Sequence, residues 1–124
     1  MFILTIDDDP DDSFIFVEAL HEIDPDIQCE CVTKPQDAIQ LLSDGMQVVP
    51  DFIFLDVNMP CMGGEECLKA IRKIEKLKEV PVIMLSTFIS EKDERNYKHL
   101  NAACLKKTGD FNALKTALKT VIRC

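Results

Sequence analysis

In this 124-residue sequence, groups able to handle phosphate or a metal ion stand directly after short apolar runs: Asp7-Asp8-Asp9, Asp56, Ser86 and Lys107. Carboxylates brought close together repel, and each resists ionisation until a cation joins them. An all-oxygen ligand set favours Mg²⁺, Mn²⁺ or Ca²⁺ over softer metals. Mg²⁺ keeps several waters and takes one or two carboxylates plus a phosphate oxygen. A cation held there would screen Asp56 from an incoming anionic phosphoryl group. Lys107 and the Ser86 hydroxyl would hold the other phosphoryl oxygens. Phosphoryl transfer needs mostly positioning and charge neutralisation, and this set offers both.

These groups meet only if the apolar runs lie side by side. Five runs read as buried strands: Phe2 to Ile6, Ile27 to Val32, Phe52 to Leu55, Val82 to Leu85 and Ala103 to Lys106. The third and fourth are apolar at every position, the mark of strands covered on both faces. Amphipathic segments separate them. Pro10 to about His21 carries Phe14 and Val17 on one face. Pro35 opens a second helix at the position where a missing N–H is harmless. Ala38, Leu41 and Leu42 follow at helical spacing, and Gly45 ends it. Gly63-Gly64 precede a third helix with Cys67, Leu68 and Ile71 inward. Ser90, with Asp93 three residues on, marks the start of a fourth. Asn101 supplies a left-handed helix end. Asp110 caps a fifth helix that carries Phe111, Leu114, Leu118, Val121 and Ile122. A strand-helix unit repeated in this way gives a parallel sheet with helices on both faces. Ligands then bind beyond the carboxyl ends of the strands, where the four groups named above would converge.

Composition narrows the function classes. The net charge of -8 disfavours nucleic acid and anionic lipid as partners. Tryptophan is absent and tyrosine occurs once, which argues against a base-stacking platform. The start, MFILTIDDD, has no basic n-region and no signal-peptide character. No stretch is apolar over a membrane-spanning length. The expectation is a cytoplasmic chain with reduced thiols. Cys29-Glu30-Cys31 has one intervening residue, outside zinc-site spacing. Cys29, Cys31, Cys67 and Cys104 read as small core residues, and Cys124 as an exposed terminal one. His21 and His99 are isolated on amphipathic helices and read as surface or boundary residues. Arg72 to Lys78, interspersed with Glu, reads as a solvated helix end. Asp9, Asp11 and Asp12 read as solvated acids at a helix start.

The segments Ile-Asp-Asp-Asp-Pro at 6–10, Leu-Asp-Val-Asn-Met-Pro at 55–60, Gly63-Gly64, Pro-Val-Ile-Met-Leu-Ser at 81–86 and Leu-Lys-Lys at 105–107 occur in order, each beside an expected strand or helix. In them the sequence resembles the receiver domains of two-component response regulators, over the entire chain. The resemblance implies a flavodoxin-like, doubly wound (βα)5 fold with strand order 2-1-3-4-5. It implies one receiver domain over residues 1–124, with no output domain. Asp56 resembles the phospho-accepting aspartate. Asp8 and Asp56 resemble direct ligands of Mg²⁺ or Mn²⁺, Asn58 the backbone-carbonyl ligand, and Asp7 the second acid of the pocket. Ser86 matches the switch hydroxyl and Lys107 the invariant lysine. The implied phosphodonor is a sensor histidine kinase or a phosphotransfer protein, and the implied output is binding to another protein. No turnover beyond self-phosphorylation and self-dephosphorylation is expected.

Three features depart from the family's pattern. Cys104 stands where an aromatic switch residue is usual, so a ring flipping behind Ser86 is not available. Thr108 follows Lys107 where proline is usual. A non-proline cis bond costs about 2.5–4 kcal/mol, so a trans Lys107–Thr108 bond is expected. The turn at Leu100-Asn101-Ala102-Ala103 is short. Phe88, two residues after Ser86, is placed to shield a phosphoryl group from water.

Other readings fit less well. Asp7, Asp9, Asp11 and Glu18 fall at the first, third, fifth and twelfth positions of an EF-hand loop. Its sixth position turns sharply and wants glycine, but here is Asp12. Asp7-x-Asp9 is similar to phosphatases of the haloacid dehalogenase type, but the chain is short for one, and Asp11 replaces the expected Thr or Val. A pseudo-receiver that binds its partner without phosphorylation is the main alternative function.

Overall fold

The computed structural model describes residues 1–45, 49–57 and 63–122. Each apolar run forms a strand: β1 (Phe2–Ile6), β2 (Gln28–Val32), β3 (Phe52–Asp56), β4 (Val82–Ser86) and β5 (Ala102–Lys106). The helices between and after them are α1 (Pro10–Ile23), α2 (Pro35–Gln40), α3 (Gly64–Arg72), α4 (Glu91–His99) and α5 (Phe111–Ile122). A π-helical turn at Leu41–Gly45 follows α2, and a 3₁₀ turn at Glu75–Leu77 follows α3. The strands are all parallel, in the order β2-β1-β3-β4-β5. This is the flavodoxin-like, doubly wound arrangement expected from the sequence. Among the described residues no helix is long and apolar enough to cross a membrane.

Alternate residues of the central strands feed two separate cores. Leu4, Ile6, Ile53, Leu55, Val82 and Met84 pack under α2, α3 and α4 with Leu42, Leu68, Ile71 and Tyr97. Ile3, Phe52, Phe54, Ile83 and Leu85 pack under α1 and α5 with Phe16, Leu20, Leu118 and Ile122. The Phe16 and Phe54 rings meet edge to face, 4.9 Å between centroids. β3 and β4 are buried at every residue, which is why their sequences show no alternation.

The helix ends follow the local signals. The Ser90 hydroxyl accepts the Asp93 N–H at 3.0 Å, and Asp110 accepts the Asn112 N–H at 2.9 Å. Asn101 sits at φ 57°, the left-handed end of α4. Among the described residues no peptide bond is cis, so Lys107–Thr108 is trans as expected.

Four expectations need correction. The inward face of α1 is Ser13, Phe16, Ala19 and Leu20, whereas Phe14 is 67% exposed. The apolar tripeptide Phe14-Ile15-Phe16 leaves the phase of the helix open, and packing on Phe54 selects Phe16. Of the cysteines, only Cys67 is fully buried among the described residues; Cys29 and Cys104 are half-buried and Cys31 is exposed. β2 lies at the sheet edge, so its residues lack a second neighbouring strand. Arg72 is not part of a solvated end. Its guanidinium donates to the carbonyls of Leu77, Val80, Leu100 and Asn101 at 2.8 to 2.9 Å, tying the turn after α3 to the turn before β5. Asp12 is more than a solvated acid, while Asp9 is an exposed helix-start acid as expected. Asp9 caps α1 by accepting the Asp11 N–H at 2.9 Å, and Asp12 reaches Lys107. Asn58, Cys61 and Cys124 lie outside the described residues.

Candidate phosphoryl and metal site

Parallel strands bring their carboxyl ends to one edge, and the chemistry gathers there. Asp56 and Ser86 are themselves the last residues of β3 and β4, and each residue is only 4% exposed. Asp7 and Lys107 each follow the last residue of a strand. The Asp7 N–H bonds the Val32 carbonyl of β2 at 3.0 Å, and the Lys107 N–H bonds the Ser86 carbonyl at 2.7 Å. Both loop residues are thus tied to the sheet before their side chains begin. Asp8 is exposed, at the open side of the site.

Lys107 is the hub. Its Nζ lies 3.3 Å from a carboxylate oxygen of each of Asp7, Asp12 and Asp56. Burial works against the ammonium, but Asp7 and Asp56 outweigh it and hold its pKa above the ordinary value. Burial also pushes the Asp7 carboxyl up from 3.8 to about 6; the Asp9 N–H and Lys107 pull it down, and Asp56 adds to the rise.

Ligand oxygens of Asp7, Asp8 and Asp56 all lie within 4.8 Å of one another. A donor set of carboxylate oxygens, two of them from buried residues and outnumbering the one ammonium, fits a hard divalent cation. The sequence had named these three residues. It had read Asp12 only as a solvated acid; from the first turn of α1 this residue comes over Lys107 through the helix phase.

Ser86 is engaged locally. Its Oγ donates to the Phe88 carbonyl at 2.6 Å and accepts the Phe88 N–H at 3.2 Å. The Phe88 ring is 76% exposed. Cys104, on β5, packs against the cluster that holds Tyr97, whose ring comes from α4 and is 5% exposed. The buried aromatic ring beside this position therefore belongs to the helix and not to the strand.

Gly64 sets how close α3 comes to the site. A Cβ there would lie 2.7 Å from the Val57 Cα, and the Gly64 N–H bonds the Val57 carbonyl at 3.1 Å. Only glycine lets the start of α3 sit on the residue after Asp56.

Comparisons with known proteins agree with this geometry. The family profile described as the response regulator receiver domain matches residues 3–119. The probable methanogenesis regulatory protein FilR2 of Methanothrix harundinacea (strain 6Ac) is 30% identical over 87 residues, 68% of this chain and 56% of that protein. The chain thus spans about half the length of that relative. The phosphorylated cyanobacterial phytochrome response regulator RcpA superposes with a TM-score of 0.84 at 28% identity, covering 97% of this chain and 89% of that one. The Mn²⁺-bound form of response regulator Rcp1 gives 0.84 at 25% identity, covering 98% and 94%. With the profile spanning nearly all of the sequence and the strand order matching, the chain belongs to the response regulator receiver domain family, whose members serve two-component signalling.

Proposed function

We propose that the chain is a cytoplasmic response regulator receiver that accepts a phosphoryl group on Asp56 and signals by binding another protein. The phosphodonor is a sensor histidine kinase or a phosphotransfer protein. The observation that carries this reading is the position of Lys107 Nζ, 3.3 Å from Asp56, beside the oxygen cluster of Asp7, Asp8 and Asp56. The phosphorylated state of RcpA and the Mn²⁺ bound to Rcp1 support it.

An Asp56 carboxylate oxygen attacks phosphorus while the bond from phosphorus to the donor imidazole nitrogen breaks. Lys107 offers its ammonium to an oxygen of the arriving group, and Asp7 and Asp12 keep it in reach. Ser86 must release the Phe88 carbonyl to donate to another phosphoryl oxygen, so transfer and the conformation of residues 86–88 are coupled. Asp7, Asp8 and Asp56, with the Asn58 carbonyl, would hold Mg²⁺ or Mn²⁺. When bound, that ion supplies the charge neutralisation that a carboxylate nucleophile and an anionic substrate require.

The test is intact-protein mass after incubation with acetyl phosphate, with and without Mg²⁺, for wild type and Asp56→Asn. One phosphoryl gain that needs both Mg²⁺ and Asp56 is the expected result. No gain in folded, Mg²⁺-binding wild type would replace this reading with a module that binds its partner without phosphorylation. The phosphoryl lifetime is expected to shorten in Phe88→Ala; an unchanged rate of loss would remove Phe88 from the shielding role.

A further inference from the structure

Cys29 and Cys31 take no part in the phosphoryl chemistry. One residue apart on β2, they leave the same face of the sheet. β2 is an edge strand. Cys29 is paired in register with Ile3 and half-buried; Cys31 is paired with Thr5 and exposed. The two thiols are near enough to perturb each other's ionisation, as two side chains leaving one face of a strand at i and i+2 would.

We propose that Cys29 and Cys31 form a two-sulfur binding site for a thiophilic monovalent cation, with Cu(I) as the metal. The strand geometry selects a bridged pair over a disulfide. Residues two apart in an extended strand stand about 6.6 Å apart with parallel side chains. That is the far end of the range a disulfide tolerates, and closing one would distort the ladder with β1. A metal inserts two bonds of about 2.3 Å between the sulfurs, a span suited to parallel side chains.

The ligand count selects the ion. Among the described residues, the one group of three or more His, Cys, Asp or Glu able to share an ion is Asp7, Asp8 and Asp56. No third ligand of this kind joins the thiols there. Zinc takes four ligands, whereas soft thiolate sites select Cu(I).

Before binding, both groups are thiols. Burial raises their pKa values, and Glu30 adds to the effect for both. On binding, each S–H gives its proton to solvent and two S–Cu bonds form. Copper stays Cu(I) and no electron moves. The bound site carries one net negative charge, so the two S–Cu bonds must outweigh burial and the charge of Glu30. The site adjoins the phosphoryl pocket, since Val32 follows Cys31 and its carbonyl holds the Asp7 N–H. The inference does not depend on phosphorylation of Asp56.

The full chain, with Cys61→Ser and Cys124→Ser as background, would be titrated anaerobically with Cu(I) buffered by bicinchoninate. The expected result is one Cu(I) per chain, with two sulfur neighbours by X-ray absorption. Cys29→Ser and Cys31→Ser should each weaken binding by roughly a hundred-fold, because a tethered second thiol acts at millimolar effective concentration. Cys31 is exposed, so its replacement leaves the fold intact, and circular dichroism checks both variants. Excess Mg²⁺ should not displace the copper. No copper retained against the chelator would overturn the proposal. So would equal retention by the Cys29→Ser/Cys31→Ser double variant, or loss in only one of the two single variants.

Discussion

Lys107 faces three carboxylates with a single charge, and this imbalance governs the chemistry at the residue scale. Replacing it with Met keeps most of the volume and removes the positive charge that the arriving phosphoryl group would meet. Lys107→Met should slow phosphoryl uptake from acetyl phosphate by roughly a hundred- to a thousand-fold, the usual consequence of deleting one preorganised charge contact. Time-resolved intact mass checks it. Asp7 sets a pH dependence. Its folded pKa of about 6 lies above the ordinary 3.8, so the folded protein binds this proton more tightly than the unfolded chain does. The stability from this group is full below pH 3.8 and is lost as pH rises through about 6. Protons and metal compete for the same oxygens, so Mg²⁺ affinity should rise over that window. Denaturant midpoints with and without Mg²⁺, on either side of pH 6, test both signs, and Asp7→Asn should flatten the dependence.

At the scale of elements, Gly64 and Arg72 decide how the helices meet the sheet. Gly64→Ala forces a side-chain carbon onto the Val57 backbone, so α3 or the end of β3 must move. The cost should be about 1–3 kcal/mol, with reduced phosphoryl uptake because Asp56 precedes Val57. Gly109 is the opposite case. It has no positive φ, and a Cβ there meets nothing within 4 Å. Gly109→Ala should therefore stabilise by about 0.4–1 kcal/mol through the unfolded chain. Arg72 holds five carbonyls of two turns at once, the Lys78 carbonyl more distantly at 3.4 Å. Arg72→Met leaves those acceptors without their donor and should lower stability by about 2–4 kcal/mol, seen as a shifted urea midpoint with an unchanged slope.

At the scale of the whole molecule, net charge and site charge act together. The chain carries -8 overall, and the acidic pocket concentrates repulsion at one sheet edge. A divalent cation bound only by the folded state stabilises it by mass action, about 2.7 kcal/mol at a hundred times its Kd. Thermal melting of wild type should rise with Mg²⁺ in this concentration-dependent way. The rise should be largely lost in Asp8→Asn or Asp56→Asn. An equal rise in both variants and wild type would mean that screening of the overall charge, and not the pocket, is responsible.

Local information in the chain was enough for the five strands, the parallel sheet, the convergence of Asp7, Asp8, Asp56 and Lys107, and the place of Ser86 at the end of β4. Continuous apolar runs marked the strands, cap residues marked the helices, and polar residues at the strand ends marked the site. The same local order placed the caps at Ser90 and Asp110 and the left-handed Asn101. Features that depend on distant partners emerged only on packing. The phase of α1 was open until Phe16 met Phe54, and that phase in turn brought Asp12 over Lys107. The role of Arg72 needed carbonyls from residues 77 to 101, which local sequence does not connect. The exposure of Cys31 came from the edge position of β2, a consequence of strand order. Periodicity fixes which residues can face a core, but helix phase, strand order and long-range hydrogen bonds arise only when the elements pack.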